Sequence, residues 1–291
     1  MIIPVRNGGR DLAELVEALS AQTLPPERFE VIIGDDGSTD GCTAGLEPRD
    51  AWLRVLGGPA TNSYAARNRA VSASRAPVLA FCDVDCRPEP TWLERGLDAL
   101  EESDLVAGRV RFALPSNPSI WSLLDIEFHL DQEDAVRKGK ATTANLFVRR
   151  PVFDNAEGFD ESFPSGGDAD FVRRCVAQGA KLVYAPDASV WHPTRDGAGS
   201  FLQKVWRIQR ANGARDGRPK LLTLSSVPVI GMLRSRRNAG RPLRLDRARL
   251  ATSGREPTVL DDLRALPVIY LLLPLVARAA RFRGWRERSR R

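Results

Sequence analysis

Short apolar runs separated by polar turns recur along the first two hundred residues. Ile2-Ile3-Pro4-Val5 reads as a strand and Arg6 to Asp11 as a turn. Leu12 to Gln22 reads as an amphipathic helix, because Leu12, Leu15, Val16 and Leu19 recur at helical spacing. Asp11 is expected to cap that helix, and Pro25-Pro26 to stop it before the next apolar run, Phe29 to Ile33. Leu79 to Cys86 and the run ending at Trp191-His192 read as further strands, and Phe171, Val172, Cys175 and Val176 as one face of another helix. Such alternation predicts an α/β fold. A mainly parallel central sheet is flanked by helices, with ligands at the carboxyl ends of its strands.

Polar residues at those strand ends are the candidate chemistry. Asp83 and Asp85 lie inside the end of an apolar strand, and carboxylates withdrawn from water cost several kcal/mol unless paired or bound to a cation. Alternation puts residues i and i+2 on one face, so both can approach one Mg²⁺ or Mn²⁺ and the diphosphate it carries. The competing reading is a strand that ends in a polar loop capped by Asp83. Phe29 to Ile33 runs into Gly34-Asp35-Asp36-Gly37-Ser38-Thr39-Asp40-Gly41, too acidic to cradle phosphate but able to accept hydrogen bonds from a base or a ribose. The competing reading here is an ordinary Asp/Gly/Ser turn.

Together these segments resemble the family 2 glycosyltransferases. The likeness runs through Ile3-Pro4-Val5-Arg6-Asn7, Gln22-Thr23, Val31 to Asp40, Ala65-Ala66-Arg67-Asn68-Arg69-Ala70, Asp83-Val84-Asp85, Asn145 to Arg150, Gly158 to Phe163 and Gly166 to Arg174, in the family's order. It implies the GT-A fold, a nucleotide-sugar donor with UDP the commonest nucleotide, a divalent metal, and inversion at the sugar carbon. By the same resemblance, Pro4, Arg6, Asp35, Asp36, Arg67 and Asp83 are expected at the donor. Asp85, Asp83 and His192 are expected at a Mg²⁺ or Mn²⁺ ion, and Asn145 to Arg150 near the acceptor. Inverting transfer needs a base away from the metal, and Asp168 is expected to be that base, with Asp170 second. Gly167 stands where relatives often carry Glu. Asp168 should lie near a helix amino end, where the dipole does not raise its pKa. Capping that helix is the alternative for either aspartate. His129 is left unassigned.

Charge then divides the chain. Residues 201 to 291 carry 22 Lys/Arg against 6 Asp/Glu, while residues 1 to 200 carry 21 against 31, so the net +6 hides two opposite halves. The break falls at Asp196 to Ser200 and predicts a nucleotide-sugar domain over 1–198 and a basic helical region over 199–291. Within the latter come a helix from Phe201 to Ala211, an apolar run from Val227 to Leu233, and a basic stretch from Arg234 to Arg249. A second apolar run, Leu263 to Val276, is interrupted by Pro267 and Pro274 and followed by Arg278, Arg281, Arg283, Trp285 and Arg286. It is too short to span a bilayer, which takes about 20 apolar residues. Two readings stand: a segment lying in the interface of an anionic membrane, or a helical pair packed on the domain with a solvated basic tail.

These features predict transfer to a lipid-linked, polysaccharide or other cell-envelope acceptor, on the cytoplasmic side of the membrane. Cys42, Cys82, Cys86 and Cys175 follow no disulfide or zinc spacing and are expected to stay reduced. Met1 begins almost inside the first strand, so no signal peptide is expected, and a start further upstream remains open. A basic nucleic-acid-binding protein is one alternative for the arginine-rich tail, but no nucleic acid is expected as a partner, because the arginine clusters lack interleaved aromatics. An inactive glycosyltransferase-like module is the other alternative, supported by the Glu that is missing before Asp168.

Overall fold

A computed structural model of the chain describes residues 1–46, 52–216 and 245–289. By contact it divides into two compact units. Met1–Arg111 and Leu130–Pro193 form the first; Phe112–His129 and the described residues from Thr194 onward form the second.

In the first unit the amino-terminal pattern folds as strand, helix and strand: β1 (Ile2–Val5), α1 (Gly9–Ser20) and β2 (Val31–Asp35). Leu12, Leu15 and Leu19 of α1 are buried. The helix begins two residues before Asp11, with Gly8 as its N-cap; Asp11 lies in the first turn and pairs with Arg87 at 2.9 Å. Gly8 lets the chain turn that early, since a Cβ there would lie 2.6 Å from the Val5 side chain. β3 (Leu53–Gly57), α2 (Ser63–Ser72), β4 (Val78–Cys82), β5 (Arg87–Pro88) and α3 (Trp92–Leu100) follow. Next in the chain are β6 (Leu105–Ala113), α4 (Ile120–Phe128), which belongs to the second unit, and α5 (Gln132–Arg137). β7 (Asn145–Arg149), α6 (Arg150–Asn155), α7 (Gly167–Ala177) and β8 (Leu182–Pro193) complete the sheet and its helices.

Among the described residues, eight strands form one sheet in the order β3-β2-β1-β4-β7-β6-β8-β5. It is parallel across β3, β2, β1 and β4. The pairs β4–β7, β6–β7 and β5–β8 are antiparallel. Alternation along the strands separates two apolar clusters. One gathers Ile3, Val5, Ile33 and Ala80 with Leu15 of α1 and Trp92 of α3. The other gathers Ile2, Ile32, Leu79 and Phe81 with Val71 of α2, Phe153 of α6 and Phe171 of α7.

The second unit contains α4, α8 (Ala198–Asp216), α9 (Arg247–Ala251), α10 (Val259–Pro267), a π-helical turn (Val268–Leu272) and α11 (Leu273–Arg288). Pro267 and Pro274 do not break the helical path: Pro267 ends α10, the π turn follows, and Pro274 sits in the first turn of α11, so both prolines stand where the helical geometry changes. α8 and α11 approach backbone to backbone, since a Cβ on Gly213 would lie 2.1 Å from the Arg281 carbonyl oxygen. Buried Asp125 faces His129 Nδ1 at 2.7 Å, Arg195 at 3.4 Å and Lys204 at 3.8 Å. Burial alone would raise the Asp125 carboxyl, but His129 and the two cations outweigh it and hold it below the usual range. Burial pushes His129 down to about 4, so its ring is neutral. The expected apolar run 227–233, and the basic stretch 234–249 up to residue 244, lie outside the described residues.

Candidate active site

Pro4 and Arg6 flank the end of β1, Asp35 closes β2 with Asp36 after it, and Asp83 and Asp85 follow β4. All three strands are neighbours in the parallel half of the sheet and point the same way, so these residues lie at one edge. The acidic loop is held from both sides. Asp35 accepts from the Ser38 N–H at 2.8 Å, and Asp36, which is buried, accepts from the Thr61 N–H at 2.7 Å. The exposed Arg6 guanidinium stands 4.0 Å from Asp36. Asn7 accepts from the Thr39 N–H, and Asp40 accepts from the Gly9 N–H, tying the loop to the turn before α1.

Three consecutive residues of α2 each take a separate task. Arg67 is buried and donates to Asp83 at 2.6 Å, with its guanidinium 5.8 Å from the Tyr64 ring. Asn68 brackets the loop before α7, accepting from the Phe159 N–H and donating to the Phe159 carbonyl and to Glu161. Arg69 donates to the Asp35 carbonyl at 2.7 Å and lies over Gly58. The buried Arg67 Nε has no hydrogen-bond partner among the described atoms, leaving a guanidinium edge unspent beside Asp83.

Asp83 and Asp85 part company. β4 ends at Cys82 and the Cys86 N–H closes a turn on the Asp83 carbonyl, so strand alternation no longer governs the pair. Asp83 meets Arg67, whereas Asp85 stands 3.4 Å from His192 Nε2 at the end of β8. His192 Nδ1 lies 2.6 Å from the Pro193 carbonyl oxygen, which can only accept. That bond puts the ring proton on Nδ1 and turns Nε2 towards the carboxylate. Among the described residues, no three His, Cys, Asp or Glu side chains gather closely enough to hold a metal ion by themselves.

α7 brings Asp168 to the same neighbourhood. Gly166, at φ 82°, is its N-cap, and Asp168 lies in its first turn. Asp168 is half-buried by surface area, yet enough protein surrounds its carboxyl for desolvation to dominate and raise its pKa. The Ala169 N–H and the Arg67 charge pull it back, while Asp83 pushes further up. The rise comes from burial and not from the helix amino end: loss of water outweighs the local donors. Asp170 is engaged elsewhere. It pairs with Arg174 at 3.0 Å, whose guanidinium also donates to the Ala156 and Gly158 carbonyls and so ties α7 to the segment after α6.

Tyr64 was not singled out in the sequence. Its hydroxyl accepts the Gly167 N–H at 2.9 Å, and burial pushes its pKa up to about 12, so it stays protonated. A Cβ on Gly167 would lie 2.9 Å from the Tyr64 ring, which accounts for glycine immediately before Asp168. The signal available was its spacing, one helical turn before Arg67. Asn145 to Arg150, expected near the acceptor, make internal contacts. Asn145 is a buried hydrogen-bonding hub, Arg149 donates to carbonyls at the end of α3, and Arg150 to carbonyls at the end of α2.

The sequence profile described as Glycosyl transferase family 2 matches residues 1–156, more than half of the chain. The chain belongs to glycosyl transferase family 2. It is a glycosyltransferase, an enzyme that takes its sugar from a nucleotide-sugar donor. Glycosyltransferase AglE of Haloferax volcanii is 33% identical over 216 residues, covering 72% of this chain and 70% of that one. The pre-mycofactocin glycosyltransferase of Mycobacterium tuberculosis is 32% identical over 210 residues, covering 67% of this chain but only 42% of its own length. Among solved structures, the mannosyltransferase PcManGT from Pyrobaculum calidifontis, in complex with GDP-Man and Mn²⁺, matches with a TM-score of 0.62. That match is 14% identical and covers 99% of this chain and 86% of that one. S. aureus TarS in complex with UDP-GlcNAc matches with a TM-score of 0.56 and 17% identity, covering 99% and 89%. The GT-A fold of this family 2 glycosyltransferase follows from those likenesses.

Proposed function

We propose that this glycosyltransferase moves a hexosyl group from a nucleotide-diphosphate sugar, with UDP as the nucleotide, to a hydroxyl of a lipid-linked, polysaccharide or other cell-envelope acceptor, inverting the sugar carbon. The observation that carries the reading is two acidic groups with different surroundings: Asp85 faces His192, and Asp168, its pKa raised by burial, lies near Arg67 and Asp83. Asp168 acts as the base that takes the acceptor proton, since a carboxylate of raised pKa is a better proton acceptor at neutral pH. Asp170 is second choice because Arg174 holds it. Asp36 and Asp35 take the nucleoside, Pro4 and Arg6 border it, and Arg67 and Asp83 lie towards the ribose and diphosphate.

Asp85 and His192 fit a divalent ion, for a carboxylate and an imidazole Nε2 turned towards it are a donor set for Mg²⁺ or Mn²⁺. Asp83 is the third expected ligand, and its pairing with Arg67 makes it the weaker of the two carboxylates for that role. The ion, when bound, would offset the charge that builds on a departing diphosphate. Residues 1–198 make up the donor domain in this reading. The basic region 199–291 makes peripheral contact with an anionic membrane on its cytoplasmic side.

Calorimetric titration of UDP, GDP and dTDP with and without Mn²⁺ tests the donor site. One nucleotide is expected to bind only with Mn²⁺, and Asp85→Ala to lose that binding; equal binding with and without Mn²⁺ would remove the metal from the scheme. A second prediction concerns Arg67. Its charge holds Asp168 down, so Arg67→Met should weaken nucleotide binding and shift the acid limb of the residual activity to higher pH. An unmoved or lowered limb would show that Arg67 does not act on Asp168.

A further inference from the structure

We propose that the outward face of α10, the π turn and α11 is a docking surface for an anionic lipid bilayer, with Val259, Leu260, Leu263, Leu271 and Leu275 entering the acyl boundary. This deepens the peripheral-membrane reading above and rests on it. Among the described residues six large apolar side chains are exposed, and five of them are these, between 53% and 70% exposed within one helical stretch. The sixth, Val176, lies on α7 in the first unit.

Asp261, Ala265, Ile269, Tyr270, Leu273 and Ala280 of the same stretch are buried, so the helix already has an inward face. An ordinary surface helix then turns a polar face to water. Here the opposite side is apolar too, at Leu260, Leu263, Leu271 and Leu275, with Pro267 between them. A contiguous patch of this kind marks an interaction surface.

Charge selects the occupant. Residues 245 to 289 carry nine Arg against five Asp/Glu. Of those acids, Asp261 pairs with Arg255, Asp262 with Arg247 and Glu287 with Arg210, so much of the negative charge is answered inside the unit. Arg264 beside Leu263 and Arg286 beyond the apolar residues are exposed. An apolar face edged by arginines suits anionic headgroups. Two copies meeting through this face would bring like charges together, which disfavours the pairing. No helix among the described residues is long and apolar enough to cross a membrane, in keeping with a segment that lies along the surface.

Co-sedimentation of the full chain with phosphatidylcholine vesicles, with and without phosphatidylglycerol, is the test. Binding should require phosphatidylglycerol and weaken with salt. Leu271→Ser/Leu275→Ser should cut the partition coefficient about tenfold or more, because two leucines lose their insertion. Nucleotide binding by this double variant, followed by calorimetry, should be unchanged and so shows that the fold survives. Wild-type partition in the double variant would overturn the proposal. So would a concentration-dependent dimer, without vesicle binding, that the double variant dissolves. Vesicle binding that persists in a protein showing no nucleotide binding would count against the transfer reading and leave this surface standing.

Discussion

Asp168→Asn is expected to lower sugar transfer by about 10²- to 10⁴-fold while nucleotide binding is retained, the loss typical of removing a positioned general base. The substitution keeps the shape and removes the ability to take a proton. Its pH counterpart follows from the direction of the shift. A base must be ionised, and desolvation raises the Asp168 pKa. Activity should therefore be full above that raised value and fall away as pH drops through it, at a higher pH than the ordinary Asp value of about 3.9 would give. A profile of kcat/KM against pH locates the limb. Asp170→Asn should act differently, because Asp170 holds Arg174, which bonds the Ala156 and Gly158 carbonyls. It should lower stability more than turnover. Full turnover in Asp168→Asn, or a larger loss in Asp170→Asn, would reverse the assignment of the base.

The contrast between these two aspartates also marks how far the sequence was legible. Continuous apolar runs located β1 and β4, which are buried on both faces, and apolar periodicity located α1 and α7, each of which buries one stripe against the sheet. Strand direction leaves no mark in such stripes, so the antiparallel pairing of β7 with β4 and β6 was not readable. The carboxylates at strand ends were readable as polar intrusions, but their partners were not. Asp83 and Asp85 sit beyond the last regular residue, where a turn sends one towards Arg67 and the other towards His192. Tyr64 was hidden for the same reason: its role depends on Gly167, more than a hundred residues away. In the second unit, Leu263 to Val276 read as one apolar run. The structure divides it between an inward face, with Ile269, Tyr270 and Leu273, and an outward face, with Leu263, Leu271 and Leu275. The two sequence readings did not exclude one another, but which residues of the run face inward and which outward was not legible in it.

The largest loss of stability is expected from Asn145→Ala. Asn145 is fully buried on β7, and its amide joins three elements. Its oxygen accepts from Trp92 Nε1 of α3 at 2.8 Å. Its Nδ2 donates to the Arg109 carbonyl of β6 and the Ala188 carbonyl of β8, both at 2.9 Å. Alanine would strand one indole N–H and two carbonyls in a site without water, and each buried group left unmet costs about 1–3 kcal/mol. Because the three share one cavity the costs do not simply add, and a total of about 3–5 kcal/mol is expected. That is a large part of the roughly 5–15 kcal/mol that holds a domain folded, and it should lower the urea midpoint by about 1–2 M. Asn145→Asp should be at least as severe, since it exchanges the donor facing two carbonyls for an acceptor. Gly108→Ala offers an independent route to the same damage, for its methyl would lie 2.3 Å from Asn145 Nδ2 and 2.3 Å from the Ala188 oxygen. If both variants disrupt one network, the double variant should be less unstable than the sum of the singles. Additive losses, or an Asn145→Ala cost below about 1 kcal/mol, would mean that pairing along the strands, rather than this amide, joins β7 to its neighbours.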